Sequence, residues 1–295
     1  MRGLGRATGA ITIVNALPSG VGCALGIGLG VEAEVETRPT TGTAGRRGRL
    51  WETDGISRTP LIEAAMELAL ERYAGEEPFA SALKIHSEIP MARGLKSSSA
   101  VASAVGRAVA SAWGKSPEPP EIARFSAEVG RLAGVSATGA LDDALAGLGP
   151  GFVVTDNSRD AVLRTGPAGP DWMVALFVPR TAHRPSPEWL ERFHAARDRA
   201  QAAVDAALVG NWWTAMARNT ELVEEVMGYD YQDARAGLLE AGAFGAGVSG
   251  LGPTLAAVGP AHRAQEMLAS LPERGGDRRL VALRPGPGMP VGVPR

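Results

Sequence analysis

The sequence predicts a folded chain in which strands and helices are mixed along its length, and three observations predict it. Hydrophobic residues make up 45% of the 295, enough for a sizeable core in one large domain or two moderate ones. Val31, Ala33 and Val35 alternate with Glu32, Glu34 and Glu36, the two-residue period of a half-solvated strand. Ser97 to Ala112 is a run of small residues that reads as a helix. It follows an apolar strand, Ser81–Ile85, through a glycine-punctuated turn.

In chain order, Arg6 to Leu17 reads as a strand and Pro18-Ser19-Gly20 as a turn. Val21 to Thr37 reads as one or two strands. Its glycines at 20, 22, 26, 28 and 30 are costly in an isolated strand. They point to backbone approaching a ligand, or to a bulged strand beneath a helix. Thr40 to Arg49 is a loop and Leu50-Trp51-Glu52 a short strand. Thr59-Pro60 starts a helix, with threonine as cap and proline at the first position, and Gly75 ends it. A helix runs from Glu121 to Leu132, and Gly147 to Asp156 is a turn and strand. A boundary near 156 divides the chain into 1–155 and 156–295. Val162-Leu163 and Trp172 to Val178 are strands. The loop from Pro179 to Pro187 carries Arg180, His183 and Arg184, which either meet an anion or are merely solvated. Helices cover Pro187–Leu208, Trp212–Met227, Tyr229–Glu240 and Ala261–Leu271. Arg279–Leu283 is a closing strand, and Arg284–Arg295 is a Pro/Gly-rich tail.

Composition excludes several classes. A net charge of -2 argues against nucleic-acid binding through phosphates. Cys23 is the lone cysteine, so neither a disulfide framework nor a cysteine metal site forms, and a reducing cytoplasm fits. His86, His183, His194 and His262 lack metal-ligand spacing. No apolar run of about 18 residues spans a membrane, and the N-terminus is not a signal peptide.

Three stretches carry chemistry. In the first, Pro90-Met-Ala92-Arg93-Gly94-Leu95-Lys96-Ser97-Ser98-Ser99-Ala100 places a tight turn before a helix N-terminus. Free backbone N–H groups and the helix dipole favour an anion there, the serine hydroxyls can bond phosphate or magnesium, and Lys96 adds charge. Serines at a helix start also serve simply as caps. The stretch lacks the Gly-Lys-Ser/Thr of a Walker A loop. The second is Thr138-Gly139-Ala140-Leu141-Asp142-Asp143, two adjacent carboxylates among small residues; capping would account for one aspartate more readily than two. The third is Gly242 to Thr254. Gly245-x-Gly247-x-x-Gly250 matches a dinucleotide fingerprint by letter, but a strand-like run follows where a helix should open.

These stretches resemble the GHMP kinases (galactokinase, homoserine kinase, mevalonate kinase and phosphomevalonate kinase). Gly-Leu-Lys-Ser-Ser-Ser, Thr-Gly-Ala-x-Asp-Asp-Ala and Ser-Gly-x-Gly-Pro resemble their archaeal-type shikimate kinase branch. The resemblance implies an α+β fold: an N-terminal ribosomal-S5-domain-2-like domain and a C-terminal ferredoxin-like domain. It implies ATP on Pro90, Ala92, Arg93 and Gly94 to Ala100, with Mg²⁺ bridging phosphates to Ser98. It carries the catalytic base onto Asp142, which would orient and deprotonate the acceptor hydroxyl. Asn15, Ser19, Gly20, Thr138, Asp143, Ser249, Gly250 and Gly252 are the implied substrate contacts, with shikimate as the acceptor. Glu128 falls in the general region of the family's magnesium glutamate, although its spacing differs. Ala10 replaces the basic residue of mevalonate kinase and galactokinase, leaving Arg6 and Lys96 as candidate cations. Arg6, Arg93 and Lys96 stand open as partners for the substrate carboxylate. The alternatives are another GHMP kinase acting on homoserine or pantoate, a dinucleotide-dependent oxidoreductase built on Gly245–Gly250, and a catalytically silent nucleotide-binding module.

Overall fold

The computed structural model describes residues 1–40, 49–181 and 186–284. Residues 41–48 of the expected Thr40–Arg49 loop, His183 and Arg184, and the expected tail beyond Arg284 lie outside the described residues. β1 (Arg2–Val14) and β2 (Val21–Pro39) form a long antiparallel pair. The stretch from Val21 is thus one continuous strand. β4 (Phe79–Ser87) pairs with the far half of β2, and β5 (Phe152–Asp156) with its near half. β3 (Arg49–Thr53) lies parallel to β4, and β6 (Ala161–Gly166) pairs with β5. The expected boundary near 156 falls between β5 and β6, two neighbours in this first sheet.

Four helices accompany the sheet. α1 (Pro60–Tyr73) opens as expected, with Thr59 Oγ1 accepting from the Ile62 N–H at 3.3 Å. α2 (Ser97–Ala112) and α3 (Pro119–Leu132) follow, then the short α4 (Leu141–Ala146). α2 is built of small residues because it is packed between two surfaces. A Cβ added at Gly3 or Gly5 of β1 would collide with the Ala108 or Ala104 carbonyl of α2. On another side of the helix, a Cβ at Gly106 would meet the Phe125 ring of α3 at 2.6 Å. Larger residues would overpack both contacts. The β2 glycines have a similar cause. A Cβ at Gly26 would collide with the Ala146 carbonyl, and one at Gly22 with the Asp142 carboxylate. They let α4 lie against the strand, which is the strand-under-helix reading.

The second sheet has the order β10-β7-β9-β8, with antiparallel neighbours throughout. Its strands are β7 (Trp172–Pro179), β8 (Gly245–Val248), β9 (Leu255–Pro260) and β10 (Gly276–Ala282). This is the ferredoxin-like order. α5 (Pro187–Ala195), α6 (Arg197–Leu208), α7 (Trp212–Met227) and α8 (Gln232–Glu240) lie between β7 and β8. A 3-10 turn (Ala261–Arg263) and α9 (Ala264–Ala269) follow β9. Gly245 and Gly247 belong to β8, and β9 follows the turn after it. The dinucleotide match therefore opens a strand pair and no helix, so the phosphate-binding geometry of that fingerprint is absent. Aromatic packing joins the two halves: Phe152 of β5 stacks on Trp212 of α7 at 4.5 Å and meets Trp213 edge-on at 5.6 Å.

Candidate active site

Three segments distant in sequence converge between the sheets. Gly94 takes φ +82°, and a Cβ there would collide with the Ser249 carbonyl, so only glycine allows this approach. Ser249 Oγ donates to the Gly94 carbonyl at 2.7 Å and accepts from the Thr12 N–H at 3.1 Å. The Gly250 N–H donates to Thr12 Oγ1 at 2.9 Å, and Asn15 Nδ2 donates to the Gly250 carbonyl at 3.3 Å. Asn15 Oδ1 accepts from the Leu17 N–H at 3.0 Å. The early strand, the serine loop and the late glycine turn are thereby held as one unit. Ser249 is fully buried, and both hydrogen bonds of its hydroxyl are spent on this link.

α2 opens from Lys96, a non-glycine residue at φ 65°, with no side-chain cap. The Ala100 N–H bonds the Lys96 carbonyl at 3.2 Å, but the first-turn N–H groups before it have no intrahelical acceptor. A cavity of about 680 Å³ lies here. Pro90, Ala92, Arg93, Gly94, Leu95, Lys96, Ser97, Ser98, Ser99 and Gly252 all line it, and Ile56, Ile62 and Ile85 give it an apolar wall. Ala100 is buried in the helix, outside that lining. Arg93 Nε donates to the Pro179 carbonyl at 2.8 Å, tying this loop to β7.

α4 opens in the same way from Ala140, at φ 53°. Its first turn holds Asp142 and Asp143, which are 4% and 8% exposed. Neither caps the helix; the capping position is Ala140. A second cavity, about 550 Å³, is lined by Thr12, Asn15, Arg131, Thr138, Asp142 and Asp143 among others. Lys96, Ala140, Asp143 and Gly250 line both cavities. The two spaces therefore meet at an ion pair, Lys96 Nζ to Asp143 Oδ1 at 3.1 Å, with both side chains nearly buried. Asp142 faces the second cavity only.

Asn157 fixes Asp142. Its Nδ2 donates to Asp142 Oδ1 at 3.0 Å, while its Oδ1 accepts from the Leu141 N–H and from Thr155 Oγ1, each at 2.9 Å. Burial pushes the Asp142 carboxyl up to about 7, helped by the neighbouring Asp143 charge and opposed by Lys96 and Asn157. Burial also raises Asp143, and Lys96 opposes that rise. The pair thus combines a carboxylate with its own counter-ion and a carboxyl that exchanges a proton near neutrality.

Several expected contacts lie elsewhere. Ser19 and Gly20 form the β1–β2 turn and line neither cavity. The Gly20 carbonyl instead accepts from the Asn157 N–H at 2.9 Å, supporting the residue that holds Asp142. Glu128 pairs with Arg72 Nη2 of α1 at 2.6 Å and lines neither cavity, because its position on α3 turns it toward α1. Arg6 pairs with Glu32 at 2.6 Å across β1 and β2, so Lys96 is the cation beside the carboxylates. Among the described residues no group of three or more His, Cys, Asp or Glu side chains could hold a metal ion. Sequence reasoning missed Thr12, Asn157 and Arg131. Asn157 follows a strand and reads only as a turn residue; Thr12 reads as an ordinary strand position.

Family models for the GHMP kinase N-terminal and C-terminal domains match residues 60–149 and 200–277. The chain is 34% identical over 258 residues to a protein named shikimate kinase from Pyrococcus abyssi, covering 88% of this chain and 92% of the relative. It is 34% identical over 276 residues to one of the same name from Methanosarcina acetivorans, covering 93% and 91%. The chain belongs to the GHMP kinases, alongside these archaeal relatives. Among solved structures, mevalonate kinase from Methanococcus jannaschii superposes with a TM-score of 0.70 at 15% identity, covering 97% of this chain and 99% of that one. Homoserine kinase from Cytophaga hutchinsonii superposes with a TM-score of 0.67 at 19% identity, covering 96% of each chain. At those identities the likeness concerns the fold alone.

Proposed function

We propose that this protein is an ATP-dependent kinase that transfers the γ-phosphoryl group to the 3-hydroxyl of shikimate. The name of its archaeal relatives supports the acceptor. One observation carries the mechanism: a glycine-serine loop at a helix N-terminus and a buried aspartate pair line adjoining cavities that meet at Lys96–Asp143.

In this reading ATP occupies the 680 Å³ cavity, its phosphates on the 94–99 loop. Shikimate occupies the 550 Å³ cavity against Thr138 and Asp142. Asp142 accepts the hydroxyl proton, since its pKa near 7 suits a base at neutral pH. Lys96 faces both ligands and neutralises charge on the phosphoryl group in transit, while Asp143 holds the ammonium in place. Asn15, Gly250 and Gly252 shape the walls, and Ser249 acts through Gly94 and Thr12. Oxygen donors suit magnesium, and Ser98 and Asp143, which line one cavity, would hold it together with phosphate oxygens. Bound there, the ion would neutralise phosphate charge. Glu128 is committed to Arg72 and is left out of that set. A reducing, cytoplasmic setting suits the one free, buried cysteine, Cys23.

A second reading makes Asp143 the base, because it alone of the pair faces both cavities. The test is a coupled ADP-release assay with ATP and Mg²⁺ on shikimate, homoserine and pantoate in parallel. Turnover on shikimate alone is expected. Turnover on another acceptor keeps the mechanism and discards the substrate. Comparing Asp142→Asn with Asp143→Asn then separates the two bases.

A further inference from the structure

Resting on that reading, we propose that Arg131 is the specificity-determining residue of the acceptor cavity, and that it binds the acceptor's carboxylate. An acceptor such as shikimate carries two kinds of group, hydroxyls and one carboxylate. The aspartate pair addresses a hydroxyl and repels the carboxylate, so a cation must receive the latter away from Asp142 and Asp143. Among the described residues, the cationic side chains lining the 550 Å³ cavity are Lys96 and Arg131. Lys96 sits against Asp143 and, in that reading, serves the phosphoryl group. Arg6 and Arg93 do not line this cavity. That leaves Arg131.

Its guanidinium is held for the task. Nη1 donates to the Thr138 carbonyl and to Asp160 Oδ1, both at 3.4 Å, and Nη2 donates to Asp160 Oδ2 at 3.2 Å. These bonds use three of five N–H donors. The Nε–H and the second Nη2–H form the guanidinium's other fork, which has no hydrogen-bond partner among the described residues. A planar fork of two parallel donors matches a carboxylate bidentately. Gly139 makes room for this arrangement. It takes φ +85°, and a Cβ there would collide with Arg131 Nη1, so the guanidinium lies directly over the backbone that leads into Asp142. The Asp160 partner is about one-third exposed, so the pair orients Arg131 without burying its charge in a closed ion pair.

The experiment compares shikimate with its methyl ester, which keeps every hydroxyl and loses the charge. Equilibrium binding by calorimetry and steady-state kinetics at saturating ATP are both measured, on wild type, Arg131→Met and Arg131→Lys. Wild type is expected to bind the acid about 10- to 100-fold more tightly than the ester. In Arg131→Met that preference collapses toward unity, through a higher Kd and KM for the acid and a smaller change in kcat. Arg131→Lys recovers part of it. An unchanged KM for ATP shows that the variants fold. A wild-type preference for the acid that survives in Arg131→Met overturns the inference, as does a wild type indifferent to the ester. Wild type that binds the acid with the expected Arg131 dependence but never phosphorylates it overturns the proposed reaction and leaves this assignment standing.

Discussion

α2 and α4 begin alike and do opposite work. Each opens from a non-glycine residue in the left-handed region, Lys96 or Ala140, and neither has a side-chain cap. That conformation costs of order 1 kcal/mol or more at each site, and such strain clusters where function constrains the backbone. The first turn of α2 carries three partly exposed serines, all neutral, beside a cavity. The first turn of α4 carries two buried aspartates. One leaves N–H donors and hydroxyls open to an anion. The other sets two carboxylates against the second cavity, where the proposed mechanism takes up a hydroxyl proton. Backbone geometry alone does not define either role. Side-chain charge and burial decide it, and the Lys96–Asp143 pair joins the two helices where those roles meet.

Four substitutions probe the two helix starts and the residues around them. The largest effect belongs to Asp142→Asn, expected to lower kcat by about 10² to 10⁴ while ATP still binds. Unchanged turnover would move the base to Asp143. Lys96→Met should lower kcat by about 10² to 10³ and raise the KM for ATP, because Lys96 serves both helices. An effect confined to ATP affinity would place it on the nucleotide side alone. Gly94→Ala should destabilise the fold by about 1–3 kcal/mol in denaturant unfolding, through the positive φ and the Ser249 carbonyl. Glu128→Gln should change kcat by less than about threefold, since an exposed pair with Arg72 is worth at most about 1 kcal/mol. A hundredfold loss, rescued by high magnesium, would bring Glu128 back to the metal.

The aspartate pair also sets pH behaviour. With Asp142 as base, kcat should rise with pH through about 7 and then level. Stability should run the other way. The native state keeps a proton that the unfolded chain releases near 3.8, so the native state binds more protons between about 4 and 7. Stability therefore falls as pH rises through that window. Thermal unfolding of Asp142→Asn should show a shallower slope and, at pH 8, a melting temperature higher by roughly 2–8 °C. An unaltered slope would show that Asp142 is not the buried proton holder.

Most elements were legible because their signals are local. The Thr59-Pro60 start, the small-residue run of α2 and the alternation in β2 each state their structure within a few residues. The pair Asp142-Asp143 was legible as a candidate site, again from adjacent residues. The cost of the β2 glycines was visible, and a helix over the strand was one reading of it, but the helix itself was not identifiable, since Ala146 and Asp142 lie more than a hundred residues away. The setting of Glu128 was hidden for the same reason: a carboxylate in the right region says nothing about which face of α3 it occupies, and here it pairs with Arg72.

Residue type and short spacing were enough for the mixture of strands and helices, the serine loop before a helix, the carboxylate pair and the motifs that resemble a family. The α+β class came with that resemblance. The packed fold was needed to place Lys96 against Asp143, to hold Asp142 with Asn157, and to lock Gly94 with Ser249 while Ser19 and Gly20 stand aside. It also brought Arg131 to the cavity wall over Gly139. Those choices depend on which chain segments burial brings together, and burial is a property of the whole packed molecule. The raised pKa of Asp142 follows from it as well, because packing against Gly22 of β2 and Asn157 leaves Asp142 only 4% exposed.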